Sequence, residues 1–305
     1  SLSAMSVLLG LCVFITSLLP AIPAPGKAMA LLLSDPESPG RVLESRNTPL
    51  GRIDVVDARS PVSWSRNPRH VGSNPPEQLH ILIDGEADTP VSLLGEREIS
   101  DLEYLDSLPS SFVFALRRPE RALILGAGGG QDVLSALRHD VSEIDAVEIN
   151  PATARLMTNE LADESQGLYS RKGVRLILHE GRSYARGAKN RYDVVQMGLV
   201  DTWAATSTGG MSLSENYLYT VDAFEDYLAA LRSGGMIGIT RWLHLPPRET
   251  LRLTVLAATA LQRRGVENPG QHVAILGIGR VGVLIVSLDP IDEETVDRIR
   301  RLAQD

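Results

Sequence analysis

The chain has 305 residues, 43% of them hydrophobic and 22% charged, enough for one large globular domain or a large one with a small companion. Its net charge of −8 argues against a nucleic-acid backbone as partner, which would need a basic face. Cys12 is the only cysteine, which excludes a disulfide framework or a cysteine zinc site within one chain. The six histidines show no metal-binding spacing, so no metal is expected.

In chain order, Ser1 to Pro25 carry no charge, and Ala4 to Ile22 are mostly large and apolar. A helix that crosses a bilayer needs about 20 such residues. A membrane-spanning helix, a signal peptide and a buried helix compete here, and the signal peptide lacks a basic stretch in front. The expectation is a membrane-type segment over residues 1–33, followed by the linker SDPESPG.

From Arg41 the pattern turns to strands. Residues 41–44 and 52–56 flank the turn Thr48-Pro49-Leu50-Gly51, and Leu79 to Ile83 ends in the turn dipeptide Asp84-Gly85. Residues 34–98 therefore read as a small antiparallel β-domain, with an irregular loop over 60–76. Residues 100–114 read as a helix followed by a connection, at the start of a second domain that spans 99–305.

The stretch RALILGAGGGQDVLSALRHDVSEIDAVEIN, over 121–150, organises that domain. A buried strand, a glycine turn and a helix follow one another, the recipe for holding a nucleotide-like ligand. A second strand ends in Glu148, whose carboxylate suits a pair of ribose hydroxyls. The glycines fall at Gly126, Gly128 and Gly130, while Gln131 stands where a dinucleotide fingerprint wants its third glycine. That spacing suits an adenosine ligand without pyrophosphate, such as S-adenosylmethionine. A glycine turn of some other α/β protein is the competing reading.

Alternation of strands and helices continues. Asn150-Pro151 starts a helix, 174–178 and 192–197 are strands, and Val221, Phe224, Leu228 and Leu231 mark an amphipathic helix closed by Gly234-Gly235. A fifth strand over 236–240, a helix over 249–264, a strand pair at 273–276 and 281–286, and a helix capped by Asp292 complete the chain. Gly277, Gly279 and Gly282 spell a dinucleotide motif, but the apolar β-branched run after them predicts a hairpin turn. The expected fold is a mostly parallel, Rossmann-like sheet with helices on both faces.

The runs ALILGAGGGQDVL, VEINP, HEGRSY and YDVVQMGLVD resemble the spermidine synthase (polyamine aminopropyltransferase) family, with RVLESRNTPLGRIDVV and LHILIDGE fitting its N-terminal strands. The resemblance covers about residues 41 to 290 and is closest to a membrane-anchored bacterial branch. It implies the S-adenosylmethionine-dependent methyltransferase fold with a seven-stranded sheet. It also implies S-adenosylmethionine or its decarboxylated form as cofactor, a small acceptor of amine type, and a homodimer. The implied location is the bacterial inner membrane, with the catalytic domain on the cytoplasmic side.

By the same resemblance, Gly126, Gly128 and Gly130 lie beneath the methionine and ribose. Glu148 holds the ribose, and Glu180-Gly181 reads the adenine amino group. Gln131, Asp132, Ile149 and Met197 flank them as cofactor positions. The family's first catalytic acid after the fourth strand falls at Gly198, leaving Asp201 as the candidate acid. Glu103, Asp201, Thr202, Trp203 and Tyr217 are the candidate acceptor pocket, beside Arg241-Trp242. The expected function is a transferase of methyl or aminopropyl groups that differs from ordinary spermidine synthesis. The alternative is a non-catalytic nucleoside-binding sensor or scaffold domain of a membrane protein.

Overall fold

The computed structural model describes residues 27–36, 39–58, 74–200, 217–244 and 246–304. After the short helix α1 (Ala28–Leu33), strands β1 (Arg41–Thr48), β2 (Gly51–Asp57), β3 (Gln78–Ile83) and β4 (Ala87–Ser92) form an antiparallel sheet in chain order. Two tight turns, at Pro49-Leu50 and at Asp84-Gly85, set its first and last registers, with Thr48 opposite Gly51 and Ile83 opposite Ala87.

The second sheet has seven strands in the order β10-β11-β9-β8-β5-β6-β7. They are β5 (Arg121–Leu125), β6 (Glu143–Glu148), β7 (Val174–Leu178), β8 (Tyr192–Met197), β9 (Leu231–Trp242), β10 (Val273–Ile278) and β11 (Val281–Ser287). All pairings are parallel except those of β11, antiparallel to both β9 and β10. The expected Rossmann-like methyltransferase fold with a small antiparallel sheet in front is therefore present. The β10–β11 turn holds Gly279 at φ +58°, so the second glycine motif is a hairpin, as its context predicts.

Side chains of the central strands alternate between two apolar cores. On one face Ile124 and Val194 pack with α2 (Phe112–Arg117), α3 (Gln131–Arg138) and the inner face of the small sheet, including Ile53 and Ile81. On the other, Leu123, Leu125 and Val195 pack with α5 (Gly181–Gly187), α6 (Val221–Ala230) and α7 (Glu249–Arg263). On the first face as well, α4 (Pro151–Arg155) is capped by the Asn150 carboxamide and runs into a wider turn over Leu156–Glu160. At the C-terminal end, α8 (Glu293–Gln304) starts on the Asp292 carboxylate, which accepts from Thr295 N at 2.8 Å.

Two expectations are corrected. Residues 100–114 are not a helix followed by a connection. Three 3-10 turns, at Ile99–Asp101, Glu103–Ser107 and Pro109–Ser111, come first, and the helix follows them. Pro109 supplies no N–H for a continuous helix, and Ser107 turns its hydroxyl back to the Tyr104 carbonyl at 2.6 Å. The inner-membrane placement is also withdrawn. Among the described residues no helix is long and apolar enough to cross a membrane, and α7, with 15 residues, carries arginines. Ala4 to Ile22 lie outside the described residues.

Candidate functional site

The strand order reverses between β5 and β8, where the two neighbours leave the sheet in opposite directions. Open α/β sheets place ligands beyond the carboxyl ends of strands at such a point. The glycine turn leaves β5 there, with Gly126, Gly128 and Gly130 at φ +76°, +48° and +91°. All three lie in the region where a Cβ is strained.

Three side chains from distant parts of the chain hold this turn. Glu148, at the end of β6, accepts from Gly128 N at 3.0 Å through one oxygen and from Asn150 N at 2.7 Å through the other. Burial pushes its carboxyl above the usual range, against the backbone N–H groups of Asn150, Gly128 and Ile149. Thr89 of β4 accepts from Gly129 N at 2.7 Å. Tyr169 donates its hydroxyl towards the Ala127 and Gly128 carbonyls, each at 2.9 Å. The small sheet is therefore bonded to the turn. A Cβ on Gly129 would meet the Pro90 carbonyl oxygen at 2.2 Å.

Ile149 follows Glu148 and stays 44% exposed, an apolar side chain at the mouth of the crevice. One strand over, Glu180 ends the β7 segment and caps α5, accepting from Arg182 N and Ser183 N at 2.8 Å each. Burial raises the Glu180 carboxyl, but these bonds and those of Ser183 outweigh it and hold the pKa below the ordinary value. Gly181 begins that helix against Leu125, and Met197 closes β8 fully buried.

Asp132 enters from the first turn of α3, next to Gln131. Its Oδ2 lies 3.4 Å from the Gln196 amide nitrogen and 2.9 Å from where a Cβ on Gly198 would stand. Glu103 is exposed on its 3-10 turn, while its neighbour Tyr104 is buried with its hydroxyl 3.2 Å from Ser92 Oγ. Tyr217 is 60% exposed, with the Arg182 guanidinium 6.0 Å above its ring. Arg241 is buried against the Tyr219 ring and bonds Glu249 Oε2 at 2.9 Å, with half-buried Trp242 beside it. Asp201, Thr202 and Trp203 lie outside the described residues. Among the described residues no group of three or more His, Cys, Asp or Glu side chains is placed to hold a metal ion.

Thr89, Tyr169 and Gln196 are the site residues that sequence reasoning missed. The bonds of Thr89 and Tyr169 cross some 40 positions of sequence, at separations of 40 and 41–42 residues, and leave no local signal. Gln196 did leave one, as the polar residue in the otherwise apolar half-strand VVQM.

Residues 103–241 match the spermine/spermidine synthase domain. The polyamine aminopropyltransferase 2 of Hyperthermus butylicus is 28% identical over 158 residues, 52% of this chain and 47% of that protein. The polyamine aminopropyltransferase of Nitrosomonas europaea is 24% identical over 189 residues, 61% of this chain and 55% of that protein. The match thus spans about half the length of these relatives. Among solved structures, a spermidine synthase in complex with the transition-state analogue AdoDATO superposes with a TM-score of 0.54 at 20% identity, covering 85% of this chain and 79% of the other. A probable spermidine synthase from Corynebacterium glutamicum gives 0.52 at 16% identity, covering 86% of each chain. Neither comparison gives the membrane-anchored branch or the inner-membrane location any support. The chain is thus spermidine-synthase-like, in sequence across residues 103–241 and in fold across most of its length.

Proposed function

We propose that this protein is a transferase that uses S-adenosylmethionine or its decarboxylated form as donor and passes a methyl or aminopropyl group to a small amine. The observation that carries this reading is the rim of the crevice: exposed Ile149 between the acids Glu148 and Glu180, at the ends of adjacent strands beside a glycine turn. The residues present suit such a donor. Glu148 takes the N–H groups of Gly128, Asn150 and Ile149, and Glu180 those of Arg182 and Ser183 with the Ser183 hydroxyl. A carboxylate has about four acceptor sites, so each acid keeps about one, for a ribose hydroxyl at Glu148 and an adenine amino group at Glu180. Ile149 offers an apolar face for the base.

The donor supplies a carbon made electrophilic by its sulfonium. The chain contributes position: a rigid turn, two acids that fix the nucleoside, and a crevice in which the acceptor nitrogen is held in line. Asp201 is proposed to orient that acceptor. Glycine at 198 removes the side chain that the resemblance would use first, so ordinary spermidine synthesis is not part of this proposal. Incubation with each donor and a panel of linear amines, with products identified by mass spectrometry, tests it. A methylated or aminopropylated amine with the matching thioether nucleoside is expected. No transfer from either donor across the panel refutes the transferase reading.

A further inference from the structure

One face of β8 and β9 carries a group of buried polar side chains that the nucleoside site does not use. Gln196 and Thr240 lie on it, facing the segment that holds Ser110 and Ser111 and the first turns of α3, which carry Asp132 and Ser135. Gln196, Ser111 and Ser135 are fully buried, and Thr240 is 5% exposed. Among the described residues, the Gln196 carbonyl oxygen and the hydroxyls of Ser111, Ser135 and Thr240 have no hydrogen-bond partner. Native folds rarely leave such atoms unpaired, and each asks for an explanation. All four can accept, and Gln196 Oε1 can do nothing else, next to a carboxylate whose partners are the uncharged Ser110 and Gln196.

Two glycines make room for this arrangement. Gly198 ends the β8 segment where Asp132 Oδ2 stands, and Gly238 lies under the Gln196 carbonyl, 2.3 Å from where its Cβ would be. Neither glycine has a positive φ, so turn geometry does not require them. The space they free is filled by polar atoms at the carboxyl ends of the central strands. Asp132 and Gly198 are both partly exposed, and the carboxyl itself sits at the carboxyl end of β8, where the crevice begins.

A group that brings several N–H donors and a positive charge completes such a site: an ammonium. We propose that Asp132, oriented by Gln196, is the carboxylate that receives the acceptor's ammonium group and takes its proton, an inference that rests on the transferase reading above. The ammonium gives one proton to the carboxylate. The freed nitrogen lone pair forms the new carbon–nitrogen bond, and the carbon–sulfur bond breaks with its electron pair left on sulfur. Asp132 thereby acts as a catalytic residue from α3, where Gly198 itself offers no side chain.

Burial pushes the Asp132 carboxyl above its usual range, against hydrogen bonds from Ser110 and Gln196. The titratable neighbour is Tyr169, whose hydroxyl feels the charges of Glu148 and Asp132 and is itself held well above its ordinary pKa, first by burial. A carboxyl raised in the fold contributes stability at pH below its unfolded value. It loses that contribution as pH rises through the folded value. Asp132 without a ligand is therefore a burden on the fold at neutral pH, as expected of a functional rather than a structural acid.

The test compares the parent with Asp132→Asn and Gly198→Ala, each saturated with methylthioadenosine and titrated with 1,4-diaminobutane by calorimetry, alongside thermal unfolding from pH 5 to 9. Asp132→Asn is expected to weaken diamine binding at least about tenfold, the loss of one charge-assisted contact. It should weaken methylthioadenosine far less than the diamine and melt above the parent at pH 8, with the gap narrowing as the pH falls. Gly198→Ala, whose methyl displaces the carboxylate, should weaken the diamine without touching the nucleoside, and it carries the test if Asp132→Asn does not fold. Unchanged diamine affinity in a folded variant that binds methylthioadenosine overturns the role of Asp132 and leaves the transferase reading standing. A lower melting temperature of Asp132→Asn at pH 8 makes the acid structural and also overturns it. A parent that binds methylthioadenosine but not the diamine also overturns the role of Asp132, and failure of the parent to bind methylthioadenosine removes the donor site and this proposal with it.

Discussion

Tyr169→Phe isolates what holds the glycine turn. The Tyr169 ring is 6% exposed, and a phenylalanine fills the same space, so no cavity opens. What disappears is one O–H, at 2.9 Å from both the Ala127 and Gly128 carbonyls. Ala127 O keeps a second donor, Gly130 N at 2.9 Å, so the loss falls mainly on Gly128 O. One carbonyl left without a donor in a buried setting costs about 1–3 kcal/mol. At about 2–4 °C per kcal/mol for a chain somewhat smaller than this one, the melting temperature should fall by roughly 2–10 °C. Differential scanning calorimetry at pH 7 reads this directly, far below the pH at which Tyr169 would ionise. Methylthioadenosine affinity should fall with it, because the same turn presents the nucleoside. A variant that melts within a degree of the parent would show that the hydroxyl does not brace the turn, and the three-sided support described above would lose one side.

Other expectations follow from the same geometry. Gly129→Ala drives a methyl into the Pro90 carbonyl and should cost about 1–3 kcal/mol by chemical denaturation. Gly187→Ala, with nothing within 4 Å, should be neutral or stabilise by up to about 1 kcal/mol; equal effects of the two would contradict the contact between β4 and the turn. Asp145 accepts from Arg175 Nε at 2.9 Å, from Tyr184 OH at 2.9 Å and from Tyr192 OH. Burial raises its carboxyl, but the bonds from Arg175, Tyr192 and Tyr184 together hold it below the ordinary value. Its contribution is then present above the unfolded pKa and lost as pH falls through the folded one. Asp145→Asn should destabilise by about 1.5–3 kcal/mol at pH 7, with the difference vanishing in acid; a difference that persists in acid would place the loss elsewhere.

Much of the architecture was legible because the strands of the large sheet read as short apolar runs, both the buried β5 and β8 and the half-exposed edge strand β7. Ala122 to Leu125, Val174 to Leu178 and Tyr192 to Met197 lie in strands at those positions, and Asn150 and Asp292 cap the helices they were expected to start. The apolar residues of 100–114 suit a helix, while Pro109 and the serines at 107, 110 and 111 break the segment into turns. Leu231 was placed on a helix from its spacing, yet it opens β9, since the pairing of β9 with β8 begins at Leu231 opposite Tyr192. In sequence, Glu148 and Glu180 read as ligand contacts. Each also bonds backbone N–H groups of its own fold, and period and motif do not record such bonds. The Asp132 cluster was the least legible part. It depends on which face of β8 meets α3, a tertiary fact that strand alternation alone does not supply.

The central claim is that a donor nucleoside lies across Ile149 at the ends of β5, β6 and β7. Ile149 is 44% exposed and bears little of the core, so Ile149→Ala should leave the melting temperature unchanged. If the base covers about half of the three carbons removed, at about 0.8 kcal/mol each, affinity should fall about tenfold. Calorimetric titration of methylthioadenosine into the parent and Ile149→Ala reads both numbers in one experiment. The account predicts binding by the parent and about tenfold weaker binding by an equally stable variant. No binding by the parent, or equal affinity in the two, would contradict it.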